Sequence, residues 1–593
     1  MKRKLHIVIV LFFPFLSFSQ QYYLKGQVLD ETGRPLQNAS IILQSTGYVY
    51  HSGTDGGFGI VTYKKWDTLS ISLDGYYKQK LGVDAAGFTI IKLKKAPVTK
   101  SQSGYRLSSL TKNLRREIQQ QWFVGDETYA STIENQFIDA KQFPVTGLAL
   151  NVDRASYSNV RRFLSMNSFV PPDAVRLEEM LNYFNFDYQE PAIGKTFDIK
   201  TVLTACPWNK SRQLLFAQIF SKKLNLDSLP PSHLVFLIDI SGSMDMPNRL
   251  PLLKSGFKSL VNNLRDKDSV SIVVYGGTVG VALETTGGDE KEKIFKAIDS
   301  LQAGGSTPGA SGIKLAYSVA KNHFIKGGNN RVILATDGDF NVGLKTEEEL
   351  EQMIISQQEA GIYLTCLGIG MGNYKDSKIQ LLAQKGNGNF AYLDNYNEAE
   401  KVLLQEFTQT FFTVADDVYL NVSFDPRYVK QYRLIGFDNK VGALKDTAVG
   451  IEGGEIGSAY SMLVAFEIEP TPEGTEAAEK VATQQPVIFN LQYKEPGTNR
   501  TNELYERPAI VFTPFNEIQK CYRFASAVIM FGSLLKKSKF VKDASWNEIL
   551  LLANKSVDEN NYSQKEFLTL VTQAKTLYTK KKKKGKKEEV IRR

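Results

Sequence analysis

Three short stretches carry oxygen-bearing side chains at spacings that suit a hard cation. They are Asp239-Ile240-Ser241-Gly242-Ser243, Gly304-Gly305-Ser306-Thr307-Pro308-Gly309 and Thr336-Asp337-Gly338-Asp339. The candidate ligands among them are two carboxylates, Asp239 and Asp337, and three hydroxyls, Ser241, Ser243 and Thr307. The i, i+2, i+4 spacing of Asp239, Ser241 and Ser243 brings alternate side chains to one side of a loop, and Gly242 lets the backbone turn tightly there. Magnesium takes near-octahedral oxygens at about 2.0–2.1 Å, keeps several waters and needs only one or two protein carboxylates. Neither thiolate nor imidazole stands in these stretches, which argues against zinc or copper. Magnesium is therefore the expected ion, with manganese and calcium as alternatives. Asp339 is read as a solvated loop residue outside the set.

Such loops need a frame that delivers them to one place. Leu234-Val235-Phe236-Leu237-Ile238 is an uninterrupted apolar run, as a strand buried on both faces requires. A helical stripe follows in Leu250, Leu253, Phe257, Leu260, Val261 and Leu264, and then a strand from Val270 to Tyr275. Arg331–Thr336 and Tyr363–Ile369 read as further buried strands. Between them Thr346 and Glu349 form a capping box, and Gly361 suits the position just past the helix. This alternation predicts an α/β doubly wound, mainly parallel sheet over residues 232–412. Such sheets bind ligands at the carboxyl ends of their strands, and each of the three loops falls at an expected strand end or helix start.

This segment resembles the von Willebrand factor type A (VWA) domain, whose metal-ion-dependent adhesion site has the form Asp-x-Ser-x-Ser…Thr…Asp. Asp239, Ser241, Ser243, Thr307 and Asp337 match its five positions in order, and Asp339 is not among them. The resemblance implies a Rossmann-like fold in which a carboxylate from a partner protein completes the coordination of the metal. Charge agrees: two carboxylates around a divalent ion leave a nearly neutral site, so an incoming Asp or Glu is still attracted. A wider resemblance, over roughly residues 143–580, is to a bacterial family of exported proteins with this domain. It rests on Asp153-Arg154-Ala155-Ser156-Tyr157-Ser158-Asn159-Val160, Glu178–Phe184, Tyr432–Phe437 and Phe524–Ala527.

The 593 residues are too many for one core, and a chain with 42% apolar and 23% charged residues is neither disordered nor a multi-span membrane protein. Three cysteines, Cys206, Cys366 and Cys521, exclude a disulfide scaffold. Basic Met1–Lys4, apolar Leu5–Phe18 and small residues at Ser17 and Ser19 read as a secretory signal (1–19) cleaved before Gln20. The expected location is accordingly the periplasm or the outer cell surface. Residues 22–95 read as short strands separated by turns. The pattern Gly26-Gln-Val28…Gly33-Arg-Pro35…Thr54-Asp55-Gly56-Gly57-Phe58…Gly75-Tyr76 resembles the carboxypeptidase-regulatory-like, transthyretin-like β-sandwich. A linker (96–142), an α/β segment (143–231), a second β-sandwich segment (413–515) and a helical segment (516–579) complete the expected flanking structure. Thr471-Pro472-Glu473-Gly474 reads as a surface loop.

Of the net charge of +9, the first nineteen residues hold +3 and the basic tail (580–593) holds +7, so the body carries −1. A nucleic-acid partner is not expected; the tail reads first as a solvated, disordered end, with peripheral contact with an anionic membrane surface as the alternative. Gly-x-Ser-x-Gly, His-Glu-x-x-His and the phosphate loop Gly-x-x-x-x-Gly-Lys-[Ser/Thr] are absent from the sequence; Gly194-Lys195-Thr196 has Gln189 where that loop needs its first glycine. Gly368-Ile369-Gly370-Met371-Gly372 has the wrong spacing for a dinucleotide fingerprint. The expectation is a binding protein rather than an enzyme, engaging a partner that presents an Asp or Glu. A metal-assisted hydrolase of the cell envelope and a structural envelope protein with a degenerate metal site are the alternatives.

Overall fold

The computed structural model describes residues 22–591 apart from 37–38, 46–48, 53–55, 63, 74–75, 86, 96–128, 130–133, 151–152, 277–278, 306–308, 338–346, 371–375, 438–440, 443–452, 482, 497 and 499. The leader, most of the linker, Thr307, Asp339 and Thr346 lie outside the described residues, as do the side chains of the basic tail from Lys580 onward.

The apolar run 234–238 becomes the central strand of a six-stranded sheet. Its strands are β1 (Ser232–Asp239), β2 (Ser269–Tyr275), β3 (Gly280–Gly287), β4 (Asn329–Thr336), β5 (Ile362–Ile369) and β6 (Phe390–Leu393), in the spatial order β3-β2-β1-β4-β5-β6. All neighbours are parallel except β3, which pairs antiparallel with β2. Successive residues of β1 feed opposite cores. Leu234, Phe236 and Ile238 pack with Phe257, Leu260 and Val261 of helix α1 (Leu250–Asn262) and with Ile294 and Ile298 of α2 (Lys291–Ser300). Val235 and Leu237 pack with Ile313 and Ala316 of α3 (Gly309–Asn322), Leu350 and Ile354 of α4 (Glu347–Glu359), and Ile379 and Leu382 of α5 (Asp376–Lys385). Helices thus cover both faces, which is why these strands carry no polar alternation.

Strand order reverses between β1 and β4, the topological switch point of such a sheet. Ile238 lies opposite Ala335, so Asp239 and the Thr336-Asp337 pair leave the sheet side by side. Register alone brings together two acids 98 positions apart in sequence.

Segments on either side of this domain are woven into common sheets. Phe197–Ala205 pairs antiparallel with Gln213–Ser221, which pairs in turn with Ser461–Pro470. With 138–139, 429–435, 483–484 and 510–513 they make a seven-stranded sheet. Val145–Ala149, Thr413–Phe424, Val487–Lys494 and Thr501–Glu506 build a second sheet over the same core. The other face of the seven-stranded sheet is covered by helices Ala155–Ser165, Leu177–Asn182, Lys520–Lys536, Trp546–Ser556 and Tyr562–Ile591. All three cysteines are free and buried.

Thr471 to Gly474 is not a loop but the start of a helix, Pro472–Glu479. The Thr471 hydroxyl accepts the Gly474 N–H at 3.0 Å, and Pro472 stands in the first turn, where its missing donor costs nothing.

The N-terminal unit, residues 1–105, is a separate body. Tyr22–Asp30, Gly57–Thr62 and Phe88–Leu93 form one sheet; Ser40–Leu43, Val49–His51, Trp66–Ser72 and Gln79–Asp84 form another. Leu24, Val28, Ile41, Leu69, Ile71 and Ile91 make its core.

Candidate metal centre

Asp239 ends β1 and is only 1% exposed. Its Oδ1 accepts the Ser241 N–H at 2.8 Å and its Oδ2 accepts the Thr336 hydroxyl at 3.3 Å. The Ser241 and Ser243 hydroxyls lie 2.9 Å apart on the exposed side of the loop. Main-chain bonds fix that loop from both flanks: Ile240 N–H to the Tyr275 carbonyl at 2.7 Å, Gly304 N–H to the Ile240 carbonyl at 2.7 Å, and Gly242 N–H to the Gly305 carbonyl at 3.0 Å. Gly276, at φ +112°, allows a close approach from below, since a Cβ there would stand 2.3 Å from the Ser241 nitrogen.

Asp337 follows β4 and is likewise 1% exposed. Its Oδ2 accepts Arg249 Nη1 at 2.6 Å, and the same nitrogen donates to the Ser243 carbonyl at 2.7 Å. Burial pushes the Asp239 carboxyl above its usual range, and the Asp337 charge adds to that push; hydrogen bonds from Ser241 and Tyr275 oppose it.

The fold therefore gathers Asp239, Ser241, Ser243 and Asp337 at one switch point and ties Gly304-Gly305, the stem of the third loop, to the first. Thr307 falls outside the described residues. Among the described residues no group of three or more His, Cys, Asp or Glu side chains converges on a point. Two carboxylates and two hydroxyls still make an all-oxygen donor set, and the repulsion between the two buried acids is what a divalent cation would offset. On donor chemistry the residues fit the ion.

Sequence reasoning missed Arg249. It occupies the N-cap of α1, a helix with no acid in its first turn. A cation at the positive end of a helix is unfavourable on its own, and that mismatch was the available signal of a buried anion nearby.

Comparison with known proteins agrees with this layout. The von Willebrand factor type A domain family matches residues 233–409, and a von Willebrand factor family matches 124–216. The C-terminal region of the uncharacterized protein YfbK matches residues 409–577. YfbK of Escherichia coli K12 is 37% identical over 469 residues, covering 75% of this chain and 81% of that protein. This chain belongs to the YfbK family. The match thus spans the VWA domain and the woven sheets and helices around it. A magnesium-chelatase 67 kDa subunit of Chlorobaculum tepidum is 27% identical over 239 residues, covering 35% of this YfbK-family chain and 38% of the subunit. Among solved structures, a von Willebrand factor type A protein from Catenulispora acidiphila covers 63% of this chain and 88% of its own, at 15% identity and a TM-score of 0.36.

Proposed function

We propose that this YfbK-family protein binds a divalent cation, magnesium first, through Asp239, Ser241, Ser243, Thr307 and Asp337, and uses it to hold a protein partner. When bound, the ion would supply an electrophilic position for a partner's Asp or Glu carboxylate. The chain's own part is to hold the two acids buried, Asp239 pointed by the Ser241 N–H and the Thr336 hydroxyl and Asp337 by Arg249, with the serine hydroxyls on the open side. The observation that supports this reading is the convergence of Asp239 and Asp337 at the switch point of a VWA sheet, beside the paired Ser241 and Ser243 hydroxyls. The role is binding rather than catalysis: reversible adhesion or the scaffolding of an envelope assembly.

The reading of residues 1–19 as a secretory signal supports a role outside the cytoplasm, in the periplasm or on the outer surface. The N-terminal unit, two sheets around one core, is read as the carboxypeptidase-regulatory-like β-sandwich, and the basic tail as a peripheral contact for anionic membrane.

A pull-down from envelope extract, run with magnesium, with chelator, and with Asp239→Ala, tests the proposal. A partner retained in magnesium and lost in the other two conditions is expected. Equal retention in all three would rule out metal-mediated capture.

A further inference from the structure

Arg249 lies in a slot built from several strand ends. Its side chain is almost fully buried, and Nη1 bridges the Asp337 carboxylate and the Ser243 carbonyl, both on residues of the cation set. Gly370, just past β5, forms the wall behind it. Its φ of +75° is left-handed, and a Cβ there would stand 2.5 Å from Arg249 Nε, so a side chain at 370 would displace the guanidinium. The Gly370 carbonyl is itself fixed by the Tyr392 hydroxyl from β6. Such a slot points to a resident group rather than a passing one.

We infer that Arg249 is a permanent second cation of the site, one that weakens metal binding and strengthens the binding of an anion to the loaded metal. The inference rests on the metal-binding reading above. Asp239, Asp337 and Arg249 together carry one net negative charge; a divalent ion turns this into one net positive charge. The loaded site is then not neutral, as two carboxylates alone would leave it, and one incoming carboxylate balances it. Arg249 thereby favours an anionic partner group, a carboxylate, over a neutral oxygen donor.

Removing this charge has two effects of opposite sign, which a purely structural arginine would not produce. Manganese alone, titrated into the full chain and followed by electron paramagnetic resonance, reads the first. Arg249→Gln is expected to bind Mn²⁺ about tenfold more tightly than the parent, on the order of one like charge removed from beside the ion. Arg249→Lys, which keeps the charge, stays near the parent value. Acetate titrated into Mn²⁺-loaded protein and read by water relaxivity is the second probe, and its affinity is expected to fall about tenfold in Arg249→Gln. Gly370→Ala, which keeps the arginine but crowds it out of its slot, shifts both readings in the same directions and serves if Arg249→Gln does not fold. Mn²⁺ affinity unchanged or weaker in both variants, with binding still abolished by Asp239→Ala, overturns the role of Arg249 and leaves the metal site standing. Absence of Mn²⁺ binding by parent and variants alike overturns the metal reading itself.

Discussion

Strand β4 carries a buried ion pair at each end, and the two pairs are built differently. At its start Arg331, with no exposed surface, donates to Glu455 Oε1 at 2.8 Å and to the Thr365 and Thr413 hydroxyls at 2.8 and 3.3 Å. Glu455 comes from the flanking sheets, so this pair bolts the VWA domain to its neighbours. At its end Asp337 pairs with Arg249 of the same domain, but a second buried acid, Asp239, stands beside it held by neutral donors. At the first end Glu455 and Arg331 pair directly, with Asp416 near enough to push Glu455 up further; at the other, two acids share one arginine beside a hydroxyl-lined opening. Burial of charge is common to both ends, and the paired serine hydroxyls on the open side are what mark a site.

Breaking the Arg331 end should cost the most. Glu455→Ala strands a buried guanidinium, and about 3–5 kcal/mol of stability should be lost in chemical denaturation. A loss under about 1 kcal/mol would mean that Arg331 is satisfied without its carboxylate.

The same end carries His233, near the start of β1, whose Nε2 lies 3.2 Å from the Ser271 hydroxyl. Burial, with a smaller contribution from His323, lowers its pKa to about 4. The unfolded chain takes up the proton near pH 6.5 and the folded chain only near 4, so the stability from neutral His233 is complete above 6.5 and is lost as pH falls toward 4. Roughly 2–3 kcal/mol should disappear over that window, and His233→Gln should flatten that part of the profile. Glu455, pushed up to about 7 by burial despite Arg331, contributes in the opposite direction, which is why the comparison is made between parent and variant. An identical slope in both would remove His233 from the account.

The Asp337 end should respond least in metal-free protein. Asp239→Asn keeps an acceptor for the Ser241 N–H and relieves the repulsion from Asp337, so stability should change by about 1 kcal/mol or less. Its effect should appear with magnesium: the parent gains about 2.7 kcal/mol at one hundred times its dissociation constant and the variant gains nothing. A gain shared by both would place the ion elsewhere.

The α/β frame was legible because its signals are local. An apolar run at 234–238 and a stripe of five residues in α1, continued by Leu264 just past it, state burial on two faces without reference to any partner. Two of the site loops were legible for the same reason, each following a strand of that kind, and the third stands before a helix. Partner choice is not local. The stretch Gln213–Ser221 is buried at every position, yet nothing in it names Phe197–Ala205 and Ser461–Pro470 as its neighbours, so 143–231 and 413–515 read as separate segments. Arg249 was hidden for the same reason: its slot is made by β4, β5 and β6, whose order only the folded sheet defines. Thr471-Pro472 was a local signal passed over, because an N-cap followed by proline opens a helix as readily as it makes a turn.

The most direct measurement is anomalous diffraction from crystals soaked in manganese. A single peak at the carboxyl ends of β1 and β4, within coordinating distance of Asp239, Ser241 and Ser243 and with Arg249 still on Asp337, is the predicted result. No peak there at saturating manganese, or a peak with Arg249 swung out of its slot, would contradict the account.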